Sequence, residues 1–216
     1  QARQVLRLTR SMTETTHDSA NLMDHVRMAC FRSVATHLLP HPLAALATEY
    51  PGIRIDIDDA CEEREDITRA IHEGRADLGI AQLPVGQEWV THAYVSDAYV
   101  LVVPTTLQLR APVSWEQFHH LPYIQLNCSG AFAVLEQCRS AGFRAELSRT
   151  LSTDTGIAAM VQHGVGYSIL PRLAVFPEPD GVKIVDLPIP AQRQFALIAL
   201  PQTARLKAVQ IVTRFI

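Results

Sequence analysis

The chain has 216 residues, of which 48% are hydrophobic and 19% are charged, and its formal net charge is −3. This composition predicts a globular protein, and the small negative charge lacks the basic field with which a domain grips nucleic acid. No apolar run approaches the roughly 20 residues of a membrane span, and the polar N-terminus has no signal-peptide core. We therefore expect a cytoplasmic protein without a membrane partner.

The first 24 residues favour a helix but carry few large apolar side chains. We therefore predict a helical arm over residues 1–24, outside the core. The chain begins at Gln1 and not at a methionine, which predicts a fragment of a longer protein.

A strand is predicted at residues 25–31, and a helix should follow it. Ser33 stands where an N-cap would begin that helix, and Pro40 and Pro42 would break and restart it before residue 50.

Residues 50–84 read as a complete strand, loop, helix and strand. Isoleucine alternates with charged residues over 53–58, which is typical of a strand with one buried face. A helix is predicted at 62–73, ended by Gly74, and an apolar strand at 77–83. Two strands joined through a helix indicate a parallel sheet, whose ligands bind beyond the carboxyl ends of the strands.

The same order of elements recurs in the second half of the chain. Strands are predicted at residues 123–127, 145–151 and 165–170, and a helix follows each of the first two. Thr153 or Asp154 would cap the second of these helices. Two of the predicted helices share one spacing of apolar residues and final glycine: Ile67, Ile71 and Gly74 in the first half correspond to Ile157, Val161 and Gly164 in the second.

The last segment predicts strands at residues 182–187 and 194–200 and a helix at 203–215. A β-branched strand at 99–103 leaves the first half, so a chain that returns for its final helix crosses between the halves twice. The expected fold class is α/β, with two Rossmann-like lobes joined by two crossover strands. A cleft between two such lobes is a favoured place for a small molecule.

An ordered series of motifs carries a family resemblance. The series consists of a strand and capped helix ending in LLP at Pro40, then YPGIRIDI, EGRADLGIA, YVLVVP and HGVGYSILP. Over residues 25–216 it resembles the effector-binding regulatory domain of LysR-type transcriptional regulators. The resemblance implies a periplasmic-binding-protein type II-like fold that senses a small-molecule effector.

The resemblance also implies how the domain is organised. Residues 1–24 would end a linker helix, residues 25–103 and 195–216 would form regulatory lobe I, and residues 104–194 would form lobe II. The winged helix-turn-helix through which the family binds DNA is absent from this chain. A homodimer or homotetramer is implied.

The expected site lies in the cleft, where helices opening near Ser33 and Ser129 should present unpaired N–H groups that suit a carboxylate. Arg32 can hold a carboxylate with two hydrogen bonds. The resemblance implies that Gln82 faces the effector. Ordinary roles stay open, because serine and asparagine often cap helices and arginine forms surface ion pairs. The predicted effector-binding residues are Arg32, Ser33, Cys61, Gln82, Asn127, Ser129 and Thr153.

Other classes of function have weaker support. Cys128 and Cys138 leave open a cysteine-based redox sensor of the same family, and a solute-binding protein of a transport system is the other alternative. No GxSxG, P-loop, GxGxxG or HExxH motif occurs, so neither an enzyme nor a cofactor is predicted. The spacing of the histidines and cysteines predicts no metal site.

Overall fold

The computed structural model of the protein describes residues 23–216. The predicted helical arm therefore lies outside the described residues, except for Met23 and Asp24, and Asp24 already begins the first strand. The chain divides into two compact units. Unit 1 comprises the described residues up to Val95 together with Gln194–Ile216, and unit 2 comprises Ser96–Arg193.

The described part of the chain contains nine strands. In chain order they are β1 (Asp24–Phe31), β2 (Ile53–Cys61), β3 (Leu78–Gln82), β4 (Val90–Pro104), β5 (Tyr123–Leu126), β6 (Leu147–Leu151), β7 (Ser168–Pro171), β8 (Val182–Asp186) and β9 (Gln192–Ala199).

Seven α-helices are found in the same residues. They are α1 (Arg32–His37), α2 (Pro40–Glu49), α3 (Arg64–His72), α4 (Ser129–Ser140), α5 (Asp154–Gln162), α6 (Pro201–Ala204) and α7 (Lys207–Phe215), with short 3-10 helices at Trp115–Phe118 and Arg172–Val175.

Unit 1 is built on a sheet in which β1 lies between β2 and β3 and is parallel to both. The predicted parallel arrangement is confirmed, although β2 and β3 are not neighbours. On the other side of β3 lies β9, which is antiparallel to it. Consequently β1, β2 and β3 end at one edge of the sheet.

The two faces of this sheet carry different side chains. Ala29, Ala81 and Ile198 belong to the cluster that packs under α3. The helix approaches very closely at Gly79, where an added Cβ would lie 2.6 Å from Cγ2 of Ile67. Glycine is therefore required for the contact between α3 and β3. The amphipathic α7 also packs in unit 1 and buries Val209 and Val212.

Unit 2 repeats the parallel arrangement on a smaller scale. Strand β5 pairs in parallel with β6, and Tyr123 also bridges in parallel to Tyr167 just before β7. Within this unit β4 is antiparallel to β7 and to β8. An aromatic core forms beside β5, in which the rings of Tyr123 and Tyr167 are 5.5 Å apart.

The repeated helix spacing corresponds to a repeated helix ending. Gly74 and Gly164 have φ values of 68° and 71°, in the left-handed region that glycine enters most readily. Arg75 N donates to the carbonyl of Ala70 at 2.8 Å, and Val165 N donates to that of Met160 at 3.0 Å. Both endings are Schellman motifs, as the two glycines predict.

Three predictions about element boundaries are wrong. Strand β4 begins at Val90, well before residue 99, because its first half is only partly buried and lacks a continuous apolar run. The final helix is split into α6 and α7, since Pro201 starts a separate short helix. Ser33 is not an N-cap, because β1 runs directly into α1 and Phe31 takes that position.

Candidate functional site

The carboxyl ends of three parallel strands bring four predicted residues to one edge of unit 1. Cys61 is the last residue of β2 and pairs in register with Phe31, the last residue of β1. Gln82 is the last residue of β3, which runs beside β1. Arg32 and Ser33 follow β1 as the first residues of α1.

The N-terminus of α1 has no side-chain cap and no acidic residue in its first turn. Arg32 is exposed, and its guanidinium forms no ion pair within residues 23–216. Ser33 is half-buried and makes a polar contact of its own. An uncapped helix start with an arginine at its first position favours an anionic group.

The thiols at this edge are neutral. Burial raises the pKa of Cys61 to about 11, and the nearby carboxylates of Asp58 and Asp66 raise it further. Burial likewise raises the pKa of Cys30 to about 12, with Cys61, Asp59 and Asp58 adding to the effect. Cys61 is therefore a weak hydrogen-bond partner, and the β2 side of the edge carries negative charge.

One aromatic residue at the same edge, Phe195, was missed by sequence reasoning. Phe195 of β9 lies opposite Gln82 of β3, and its ring is 5.7 Å from the ring of Phe31. Residue 195 belongs to a strand more than 100 residues further along the chain. No local pattern could have indicated this neighbour, because its position depends on the antiparallel pairing of β9 with β3.

The remaining predicted residues lie together in unit 2. Leu126 of β5 pairs with Leu151 of β6, so the two strands end side by side. Asn127 follows β5, and its backbone N–H donates to the carbonyl of Leu151 at 2.8 Å. Ser129 begins α4, while Thr153 precedes α5.

The two helices at this edge begin differently. Thr153 caps α5, because its Oγ1 accepts from the N–H of Gly156 at 3.3 Å, and Asp154 adds a carboxylate to the first turn. The N-cap of α4 is Cys128, whose side chain makes no capping hydrogen bond, and the first turn of α4 contains no acidic residue. An anion is therefore favoured at α4, where first-turn N–H groups have no helical acceptor.

A buried glutamine near this edge was also missed. Gln125 is fully buried, its Nε2 donates to the carbonyl of Leu126 at 2.8 Å, and its Oε1 has no partner in the described part of the chain. The available signal was a polar residue inside the otherwise apolar strand β5. An amide held in this way is well placed to orient the loop that starts α4.

The geometry of the cysteines does not favour a disulfide in unit 2. Cys128 precedes α4 and Cys138 lies near its end, and ten residues of helix span roughly 15 Å, whereas a disulfide joins Cα atoms less than about 7 Å apart. Burial raises the pKa of Cys138 to about 11, so its thiol is not poised to ionise.

Two kinds of feature are absent from the part of the chain that the structure describes. No group of three histidine, cysteine, aspartate or glutamate side chains there is arranged to hold a metal ion. Within residues 23–216, no helix has both the length and the apolar character that a membrane span requires.

Two α/β units, each with polar residues and a helix start at the ends of parallel strands, define the class of periplasmic-binding-protein type II-like domains. The family described as LysR substrate binding domain matches residues 19–216. The chain belongs to this family, as its motifs predict.

Named relatives agree with this assignment. The chain is 33% identical over 187 residues to LrrA, a probable HTH-type transcriptional regulator of Synechococcus elongatus. The matched region covers 86% of this chain and 63% of the relative. It is 23% identical over 172 residues to the uncharacterized HTH-type transcriptional regulator YeiE of Escherichia coli, covering 78% of this chain and 58% of the relative. The chain thus spans about three-fifths of the length of these relatives.

Solved structures share the fold. HinK, a LysR family transcriptional regulator from Pseudomonas aeruginosa, superposes with a TM-score of 0.79 at 21% identity, covering 99% of this chain and 76% of HinK. The CcmR regulatory domain of Synechocystis, solved in complex with 2-PG, superposes with a TM-score of 0.73 at 16% identity, covering 89% and 98% of the two chains.

Proposed function

We propose that this domain senses a small anionic metabolite and thereby controls transcription in a LysR-type regulator. The observation that carries the proposal is the uncapped start of α4, which follows the polar residue Asn127 at the ends of two parallel strands. Backbone N–H groups there can bind a carboxylate without an enzyme-like set of reactive side chains.

The residues have different proposed roles. The N–H groups at the start of α4 and the hydroxyl of Ser129 hold the anionic group, and the amide of Asn127 orients it. Arg32 is proposed to supply a charged contact in unit 1. Ser33, Gln82 and Cys61 are proposed to contact the polar remainder of the effector, and the hydroxyl of Thr153 can still donate while it caps α5.

The family and the names of the relatives support a regulator over a solute-binding protein of a transport system. In the proposed full-length protein, a separate DNA-binding domain contacts the operator in the cytoplasm, and the regulator works as a homodimer or homotetramer. The domain binds its effector and does not convert it. The separation of Cys128 and Cys138 by most of α4 disfavours a redox sensor.

A thermal-shift screen of small carboxylates and aromatic acids tests the proposal, because a bound ligand raises the melting temperature by mass action. In the variant Arg32→Ala/Ser129→Ala, the shift caused by a hit should shrink. Gly130→Pro is a sharper probe, since it removes one N–H from the first turn of α4, where proline is tolerated. It should lower the affinity, and because proline also disfavours the helical conformation of the preceding Ser129, the ligand-induced shift is compared with the variant's own unliganded melting temperature.

Matched controls are available on the same elements. Ser140 is exposed at the other end of α4, and Arg54 is exposed on β2. Ser140→Ala/Arg54→Ala should keep the full shift. An unchanged shift in both Arg32→Ala/Ser129→Ala and Gly130→Pro would show that the effector does not bind at these helix starts.

A further inference from the structure

Unit 1 contains a cavity of about 440 Å³ that lies away from the strand ends described above. Residues of β3, β4 and β9 line it on one side, and residues of α6 and α7 on the other. The predicted effector-binding residues do not line it. Its apolar lining is formed mainly by Leu78, Val90, Leu197, Ala199, Ala204 and Val209.

The cavity exists because small side chains stand where larger ones would fill the space. Side chains alternate along β9, so that Ile198 packs under α3 while Leu197 and Ala199 face this cavity. Ala199 and Ala204 leave room between the sheet and the helices. The helices α6 and α7 therefore line the cavity without filling it.

Charge is distributed unevenly around the cavity. Its lining includes His92, Arg205 and Arg214 but no aspartate or glutamate from residues 23–216. In that part of the chain neither arginine side chain has a hydrogen bond or an ion pair. The formal net charge of the chain is −3, so this local excess of cations runs against the average of the protein.

We propose that this cavity is a second small-molecule site, which takes an amphipathic organic anion with an aromatic or short aliphatic body and one carboxylate or sulfonate. The apolar floor buries the body, and Arg205 and Arg214 bind the anionic group. A volume of this size falls within the range of about 300–1,000 Å³ that is typical of ligand pockets. The assignment is independent of the site proposed at the helix starts.

The test uses 8-anilinonaphthalene-1-sulfonate, an amphipathic anion whose fluorescence rises in apolar surroundings, titrated into the folded chain. We expect a saturable rise for the parent protein. In Arg205→Ala/Arg214→Ala the dissociation constant should increase about fivefold, the combined effect of losing two exposed charge contacts. In Ala204→Phe, which fills the cavity, the saturable rise should be lost.

Control variants separate binding in this cavity from binding elsewhere on the protein. Arg54→Ala removes an exposed arginine of unit 1 that does not line the cavity and should bind the probe like the parent. Arg32→Ala/Ser129→Ala should also bind it normally, so failure of either proposal is distinguishable from failure of the other. Naphthalene-1-carboxylate should compete with the probe, whereas its neutral carboxamide should compete much less.

The proposal is overturned if the double arginine variant binds the probe as tightly as the parent, or if the carboxamide competes as well as the carboxylate. A change in the sedimentation coefficient of Ala204→Phe would assign the cavity to an interface between copies and would also overturn it. If Ala204→Phe fails to fold, the arginine variant and the competition experiment still decide.

Discussion

The two units use the same sequence of elements but offer an anion different chemistry. In unit 1 the strand ends carry two neutral thiols and nearby carboxylates, and the short uncapped helix α1 begins with a charged side chain, Arg32, which supplies the main attraction for an anion. In unit 2 the strand ends lead into α4, whose start is uncapped, so attraction depends on the backbone. A repeated architecture therefore does not repeat its binding chemistry.

The units also differ in how deeply each buries an arginine–aspartate pair. In unit 2 the Nη2 of Arg193 is 2.7 Å from Oδ2 of Asp97, and the side chains are 8% and 2% exposed. In unit 1 the Nη2 of Arg27 is 2.8 Å from Oδ1 of Asp77, with 26% and 5% exposure. Breaking the deeper pair should cost more stability, because the arginine left behind cannot turn to water.

The largest effect is expected for Asp97→Ala. It removes the carboxylate that pairs with the buried Arg193 and also the acceptor of the N–H of Leu173, so the free energy of unfolding should fall by about 3–5 kcal/mol. Urea denaturation measures this fall in the free energy of unfolding. The control Asp186→Ala breaks a pair whose aspartate is 87% exposed and should cost less than about 1 kcal/mol.

A smaller loss, about 2–3 kcal/mol, is expected for Asp77→Ala in unit 1, because Arg27 keeps partial access to water. Tryptophan fluorescence can follow each unit separately, because Trp89 lies in unit 1 and Trp115 lies in unit 2. In a Trp115→Phe background, the fluorescence of Trp89 should report the loss of stability in unit 1. An effect of Asp77→Ala as large as that of Asp97→Ala would mean that burial does not rank the two pairs.

The two helix endings should lose nearly equal stability when their glycines are replaced. Gly164→Ala introduces a Cβ that meets no atom within 4 Å, so its cost is backbone strain alone, about 1–2 kcal/mol. Gly74→Ala should cost about the same, because its φ is nearly identical. Thermal or urea melts of both variants measure this, and clearly unequal losses would show that the endings are alike only in sequence.

The smallest stability effect is expected for Ser129→Asp at the start of α4. A carboxylate there should stabilise the helix by about 0.3–1 kcal/mol through its dipole, yet it should weaken binding of an anionic effector by occupying the same N–H groups. Ser140→Asp, at the opposite end of α4, should instead destabilise the helix and leave binding unchanged. Melting temperatures with and without a screening hit measure both changes, and retained binding in Ser129→Asp would contradict the role given to α4.

Local patterns predicted much of the secondary structure and its repetition. The alternating isoleucines of β2 and the glycine-ended helices α3 and α5 are encoded within a few residues, so periodicity reveals them. The ordered motifs also identified the family. Boundaries failed where neighbours in sequence were uninformative, as in the half-exposed start of β4.

By itself the sequence determined the α/β class, the family and the residues that stand at the strand ends. Only the tertiary structure decided that β1 separates β2 from β3 and that Phe195 lies opposite Gln82. The physical reason is that strand order and register come from packing between segments far apart in the chain. Such contacts leave no periodic trace in the local sequence.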